Sequence, residues 1–342
     1  MGMPVSPDLP ETENNNNREA KGMDVSIVIP NYNGIKYMEN CLRALEKQRV
    51  AGEPETEILV VDNGSGDGSR ELVEEKFPQV RLIALDDNYG FCGAVNAGIR
   101  ASQAPFVILL NNDTEVRKGF VYELYRGIQV SDRIFSGAAK MIQLHDKTKL
   151  DDAGNYYCAL GWAYARGKGK PVERYTKAEE IFASCGGAAI YRKSILEEIG
   201  LFDEEHFAYL EDVDIGYRAR RHGYVNMFFP RAQVYHAGSG TSGSRYNEFK
   251  VRYASRNSVY LIYKNMPLFQ LLLNLPFLAV GFGIKFLFFL HKGMGREYAA
   301  GIKNGILLSV KYSKEKFNWN YLGNHVRIQL ELWVNTIRRV AG

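Results

Sequence analysis

The pattern that most narrows the fold lies between residues 25 and 110. Four short apolar runs, at 25–29, 57–62, 80–85 and 106–110, alternate with stretches of helical period at 37–48, 70–77 and 92–101. An apolar run without polar alternation has no face to give to water, so each strand is expected to be buried on both sides. Buried strands joined by helices make an α/β fold, read here as a parallel sheet covered on both faces. The third helix, rich in Gly and Ala, is suited to close packing on that sheet. Beyond about residue 130 the pattern loosens, with short strands expected at 135–139, 188–191, 225–229 and 233–236.

Open α/β sheets bind ligands beyond the carboxyl ends of their strands. Asp62 ends the second strand, and Asn111-Asn112-Asp113 follows the fourth. Either acid alone reads as turn chemistry, but two at neighbouring strand ends point to a ligand. The common phosphate fingerprints are missing: there is no G-x-x-x-x-G-K-[ST], and Ser69 stands where the dinucleotide pattern after Gly64 and Gly66 wants a glycine.

A second constellation follows the aromatic stretch of Phe207 and Tyr209, where Glu211, Asp212 and Asp214 open a helix that ends near Gly223. Acids in a first turn suit the helix dipole, and Asp214 can pair with Arg218 four residues on. That account covers Glu211 and Asp212 less well. A carboxylate beside apolar walls gains basicity, which suits a general base. A third constellation is His236, which ends a strand before a Gly/Ser loop suited to closing over a phosphate, with Arg245 or Arg252 supplying charge.

The net charge of +4 is unevenly spread. From Tyr263 onward there are 11 Lys and Arg against 3 Asp and Glu, a net +8, which leaves −4 for the rest. Within this basic end, residues 268–290 read LFQLLLNLPFLAVGFGIKFLFFL, interrupted by Gln270, Asn274, Pro276 and Lys285. The preferred expectation is a kinked helix or helical hairpin lying in the interface of an anionic membrane. A true span is the second reading, and a core helix or oligomer contact the third. Four scattered cysteines without a C-x-x-C pair suit a reducing cytosol. Residues 1–22, with three prolines and an asparagine run, read as a disordered leader.

Taken in order, VSIVIPNYNG, ILVVDNGSGDGS, NYGFCGAVNAG, LLNNDTEV, CGGAAIYRKSILEEIGLFDE, FAYLEDVDIGYRARRHGY and HAGSGTSG resemble a family 2 glycosyltransferase, closest to its rhamnosyltransferase-like branch. The resemblance runs from about residue 24 to 265. It implies the GT-A fold, a Rossmann-like mixed sheet with helices on both faces, over 23–265; the apolar and basic stretch at 266–342, beyond the resemblance, is expected to be a membrane-proximal helical region. It also implies an inverting, hexosyltransferase-type transfer from a nucleotide diphosphate sugar to an acceptor hydroxyl, with Mg²⁺ or Mn²⁺.

By the same resemblance, Pro30 and Tyr32 border the base and ribose, and Asp62 accepts a hydrogen bond from a pyrimidine imide. Asn88 to Asn96 wall the nucleotide, and Asn111, Asn112 and Asp113 occupy the family's Asp-x-Asp position. Asp113 would be the retained metal ligand, completed by His236; Asp212 the base; and Glu211 a seat for the acceptor. The expected partners are a dTDP- or UDP-linked sugar, rhamnose first, a saccharide or lipid-linked acceptor and an anionic membrane surface, but no nucleic acid. The expected location is the cytoplasm, peripheral to the inner face of the cell membrane. A nucleotidyltransferase making sugar nucleotides, or an idle membrane scaffold of the same fold, stand as alternatives.

Overall fold

The structure, a computed structural model, describes residues 22–48, 51–238, 246–312, 314 and 317–341. Arg245, most of the Gly/Ser loop and all of the expected leader but Gly22 lie outside the described residues.

The alternating first third folds as its pattern requires. It runs β1 (Val25–Asn31), α1 (Ile35–Glu46), β2 (Thr56–Asn63), α2 (Ser69–Lys76), β3 (Arg81–Leu85), α3 (Gly90–Ala101) and β4 (Phe106–Leu110). Next come β5 (Thr114–Val116), α4 (Phe120–Ile128), β6 (Ile134–Gln143), β7 (Leu150–Asp152), β8 (Asn155–Tyr157), β9 (Ala163–Ala165) and β10 (Glu179–Ile181). The second half continues with β11 (Ala188–Arg192), α5 (Lys193–Ile199), α6 (Glu211–Arg221), β12 (Val225–His236) and α7 (Glu248–Asn265). Three helices close the chain: α8 (Leu268–His291), α9 (Gly295–Lys311) and α10 (Leu322–Ala341).

The main sheet has the order β10-β12-β6-β11-β4-β1-β2-β3, with β5 on β12 and β7 on β6. Strands β4, β1, β2 and β3 are parallel, as expected. The sheet as a whole is mixed, because β11 enters antiparallel between β4 and β6. This corrects the all-parallel reading and agrees with the fold that the resemblance implied. An apolar strand reports burial on both faces and says nothing about its direction.

Both faces are covered. Val25, Ile27, Ile29, Ile108 and Leu110 join the core under α1, α2 and α4, while Val28, Leu59, Val61, Val107 and Leu109 join the core under α3 and α5. The small residues of α3 do allow close approach: a Cβ on Gly98 would lie 2.3 Å from Val28 Cγ1. The two strands expected at 225–229 and 233–236 are one, β12, with an irregularity between Phe229 and Gln233. Pro230, which has no N–H to give a ladder, falls in that irregularity.

Candidate active site

The first part of the site is built on the carboxyl ends of β1, β2 and β4. Parallel register sets Asn31 beside Asp62. Asn31 is the hub: its amide donates to Asp62 Oδ1 at 2.9 Å, Ser69 Oγ at 2.8 Å and Ser65 Oγ at 3.2 Å. Its Oδ1 accepts from Asn112 Nδ2 at 2.7 Å. A neutral amide, buried and bonded on both ends, thereby fixes a carboxylate from one strand and an asparagine from another. Gly34 makes room for the pair, since a Cβ there would lie 2.0 Å from Asn112 Nδ2.

Asp62 also accepts from Ser65 N at 3.1 Å. Pro30 sits in β1 beside Asn31, and Tyr32, just past it, is exposed. Asn88 accepts from Asn63 Nδ2 and from Gly90 N, both at 2.9 Å, which shapes the turn into α3. Asn96 is used differently. Its amide is buried and bonded to Phe202 O at 2.7 Å, Phe202 N at 3.1 Å and Glu204 Oε1 at 2.8 Å. It ties α3 to the segment after α5, and its side chain is committed there.

Strand β12 pairs with β5 so that His236 faces Thr114. This brings His236 Nε2 to 3.2 Å from Asp113 Oδ1, joining residues far apart in sequence. His236 Nδ1 lies 2.7 Å from Asp151 Oδ2, and Lys168 Nζ 2.8 Å from Asp151 Oδ1. Burial alone would lower the His236 pKa, but the bonds to Asp113 and Asp151 outweigh it and raise it to about 9. Asp151, despite its own burial, is drawn down to about 2 by His236 and Lys168. Asp113 and His236 fit a divalent cation by donor type: an oxygen and a nitrogen ligand lie side by side, and the far ring nitrogen is held by a carboxylate. Asn111 offers no charge; its backbone bonds Gly187 O and Thr114 Oγ1.

The second part of the site begins one residue further on. Asp152 is buried, and burial, with Asp151 and Asp212 nearby, raises its pKa to about 7 although Gly154 N donates to it at 2.6 Å. Asn155 Nδ2 donates to Asp212 Oδ2 at 2.6 Å, and Val213 N to Asp212 Oδ1 at 2.7 Å. Burial holds both Asp212 and Glu211 above the ordinary carboxylate range, and Asp212 adds to the rise at Glu211. Glu211 Oε2 is buried with no hydrogen-bond partner among the described residues. Residues 151–155 thus connect the two parts, with Asp151 on His236 and Asn155 on Asp212. Sequence reading passed over this segment, although an adjacent acid pair before Ala-Gly-Asn was a visible signal.

The acids are held by strain. Phe207, Tyr209 and Leu210 all have positive φ, at 59°, 74° and 69°. Such backbone costs about 1–3 kcal/mol per residue and persists only where neighbours fix it. Asn257 of α7 supplies the restraint: its amide donates to His206 O and Ala208 O at 2.9 Å and to Tyr209 O at 2.7 Å. Arg256 adds a bond to Glu205 O at 2.5 Å.

Asp214 belongs to a different system. It pairs with Arg218 at 3.0 Å as expected, and also with Lys264 at 3.0 Å and Asn265 at 2.8 Å. Burial would raise its pKa, but Lys264 and Arg218 hold it far below the carboxylate range. Asp203, His206 and Asp214 lie within 4.8 Å of one another, a spacing that suits a cation. The Lys264 ammonium, 2.6 Å from Asp203, already lies between the two carboxylates, which makes this cluster an ion-pair node. Arg252 is likewise committed, to Glu297 at 2.5 Å, and is not free for a phosphate.

A family description, Glycosyl transferase family 2, matches residues 26–200, just over half of the chain. The chain belongs to this family. This glycosyltransferase is 27% identical over 241 residues to the N-acetylglucosaminyl-diphospho-decaprenol L-rhamnosyltransferase of Mycobacterium tuberculosis, covering 64% of this chain and 77% of the relative. It is also 27% identical over 258 residues to the low-salt glycan biosynthesis hexosyltransferase Agl10 of Haloferax volcanii, covering 69% and 76%. Among solved structures, GalNAc-T7 with UDP, GalNAc and Mn²⁺ matches with a TM-score of 0.58 at 17% identity. That match covers 72% of this chain and 48% of the other, so this family 2 chain spans about half the length of GalNAc-T7. The fold is thereby GT-A.

Proposed function

We propose that this enzyme transfers a hexose, rhamnose being the first candidate, from a dTDP- or UDP-linked donor to an acceptor hydroxyl with inversion. The acceptor is a saccharide or lipid-linked saccharide in cell-surface polysaccharide or glycolipid synthesis, and the work is done at the cytoplasmic face of an anionic membrane. The lipid-linked acceptor is supported by the likeness to the mycobacterial N-acetylglucosaminyl-diphospho-decaprenol L-rhamnosyltransferase.

The observation that carries the chemistry is the division of labour across residues 151–155. On one side Asp113 and His236 converge, and Asp151 fixes the far ring nitrogen. On the other side Asn155 and Val213 N hold the two oxygens of Asp212, each of which keeps a free lone pair for a proton. Asp113 and His236 would hold Mg²⁺ or Mn²⁺, which when bound stabilises negative charge on a departing diphosphate. Binding it requires His236 to give up its Nε2 proton, so cation and donor are expected to arrive together. Asp212, made more basic by burial, accepts the acceptor hydroxyl's proton as that oxygen attacks the anomeric carbon. Glu211, whose buried Oε2 has no partner among the described residues, would take a second acceptor hydroxyl. On the donor side, Asp62 is held ready for the pyrimidine by Asn31 and Ser65 N.

A panel of dTDP- and UDP-sugars, scored for nucleotide release with and without Mn²⁺ or Mg²⁺, tests this reading. Release with no donor on the panel, or activity unchanged by chelation and by Asp113→Ala, would overturn it.

A further inference from the structure

Helix α8 is amphipathic in the reverse sense to a surface helix. The polar residues that interrupt its apolar sequence, Gln270, Asn274 and Lys285, stand at spacings that share one helix face, and they turn toward the protein. Gln270 and Asn274 are fully buried, and Gly281 is buried on the same face. Gln270 accepts from Tyr217 OH of α6, and Asn274 and Gln329 of α10 exchange two bonds at 2.7 and 2.8 Å. Trp162 Nε1 donates to Gly281 O at 3.1 Å, and the Lys285 ammonium lies 5.7 Å from the Trp162 ring centroid.

The outward face is apolar along the whole helix, with Leu272 61% and Leu287 64% exposed. Helix α10 adds a second exposed stripe at helical spacing, Leu322, Val326, Leu330, Val334 and Ile337, bordering the Gln329 that bonds α8. The two apolar faces therefore adjoin. Aromatic residues stand at the amino end, where Phe317 packs on both Phe269 and the exposed Trp319. Cations stand at the other end: Lys292 and Arg296 follow α8, and Arg338 and Arg339 close α10.

We infer that α8 and α10 form a monotopic platform that lies in the plane of an anionic bilayer. Three physical points select this occupant. A helix crossing the hydrocarbon would have to expose Gln270, Asn274 and Lys285, of which Gln270 and Lys285 now meet Tyr217 and Trp162 of the catalytic unit and Asn274 meets Gln329 of α10. Two copies joined through this face would bring basic rims together, since Glu297 is already paired with Arg252 and Glu331 with Arg220. Aromatic rings and cations around an apolar face match the headgroup layer in both polarity and charge. At 24 residues α8 is about 36 Å long, enough to rest the unit along one axis.

The platform is joined to the helix that carries the base, through Tyr217 to Gln270 and Arg220 to Glu331. Resting on the proposed lipid-linked acceptor, the inference assigns the platform a positioning role. It fixes Asp212 relative to the bilayer, so that an acceptor head group projecting from the lipid meets the base without the enzyme leaving the surface.

The test is co-sedimentation of the full chain with phosphatidylcholine vesicles, with and without phosphatidylglycerol, beside the double variant Leu272→Glu, Leu287→Glu. Both leucines face outward, so the variant is expected to fold. Wild type should pellet with anionic vesicles and be released by alkaline carbonate, and the variant should lose at least about tenfold in partitioning. Trp319 fluorescence, taken as the difference from Trp319→Phe, should be quenched by lipids brominated near the headgroup. Equal soluble fractions with both vesicle types, quenching strongest at the bilayer centre, or a dimer that the double variant dissociates would each overturn the inference. Nucleotide release with a short water-soluble acceptor separates this from the catalytic reading: the double variant should keep that activity and lose activity on a vesicle-embedded acceptor. Vesicle binding without any transfer would instead count against the proposed function alone.

Discussion

Two regions of the candidate site are built from the same kind of side chain and made to behave in opposite ways. Asp62 sits in a net of neutral amides and hydroxyls that originates in neighbouring parallel strands. Glu211 and Asp212 lie part-buried beside each other just past a strained segment, and desolvation raises the pKa of both. The first arrangement holds a carboxylate rigidly in a hydrogen-bonded net. The second keeps carboxylates more basic than usual. The nearby Asp214, more deeply buried, differs again: two cations have taken up its charge.

The sharpest test of this contrast is Asp212→Asn. Turnover should fall by about 10³-fold while donor affinity, measured by calorimetry, stays near wild type. Because the folded-state pKa of Asp212 is raised, ionising it costs folding energy, and the asparagine variant should be more stable than wild type at neutral pH. A variant with wild-type turnover would remove Asp212 from the chemistry.

Asn257→Ala comes next. It leaves Ala208 O and Tyr209 O without their Asn257 donor, while His206 O keeps Arg256, and should cost about 1–3 kcal/mol in urea unfolding, with a lower kcat and little change in donor affinity. If donor affinity falls instead, the two regions are less independent than the contrast holds. Asn31→Ala is the converse probe. It should weaken donor binding by about tenfold with a smaller change in kcat at saturating donor.

The smallest effect is expected in pH dependence. The acid limb of kcat/KM should lie above the ordinary carboxylate value of about 4, with the rate falling as pH drops and Asp212 takes up a proton. Asp214 behaves oppositely. Its pKa is depressed on folding, so its contribution to stability is complete above about pH 4 and lost only as pH falls well below that. In the window between, activity should decline while the melting temperature holds. A parallel loss of both would show that the limb reports unfolding.

Much of the first region could be read directly from the chain. Asp62 and Asp113 follow apolar strands, and position after a strand in a parallel sheet is itself a spatial statement. Asp212 and His236 were also identified in sequence. What escaped notice were the residues whose importance is a matter of partners: Asn31, Asp151, Asn155 and Asn257. Each is an ordinary polar residue until the fold places a carboxylate, an imidazole or a strained carbonyl within hydrogen-bond distance. Asn96 went the other way, a residue in the right segment whose side chain is bonded to Phe202 and Glu204.

The sequence by itself determined the burial of β1 to β4, the positions of the acids at strand and helix ends, and the apolar character of α8. These follow from local period and composition, and a chain has no means of hiding them. Only the tertiary structure decided the direction of β11, the meeting of Asp113 with His236, the protonation of each buried acid, and which face of α8 turns outward. Those depend on distances between residues far apart in the chain, and hydrogen bonding and electrostatics act over distances in space whatever the separation in sequence.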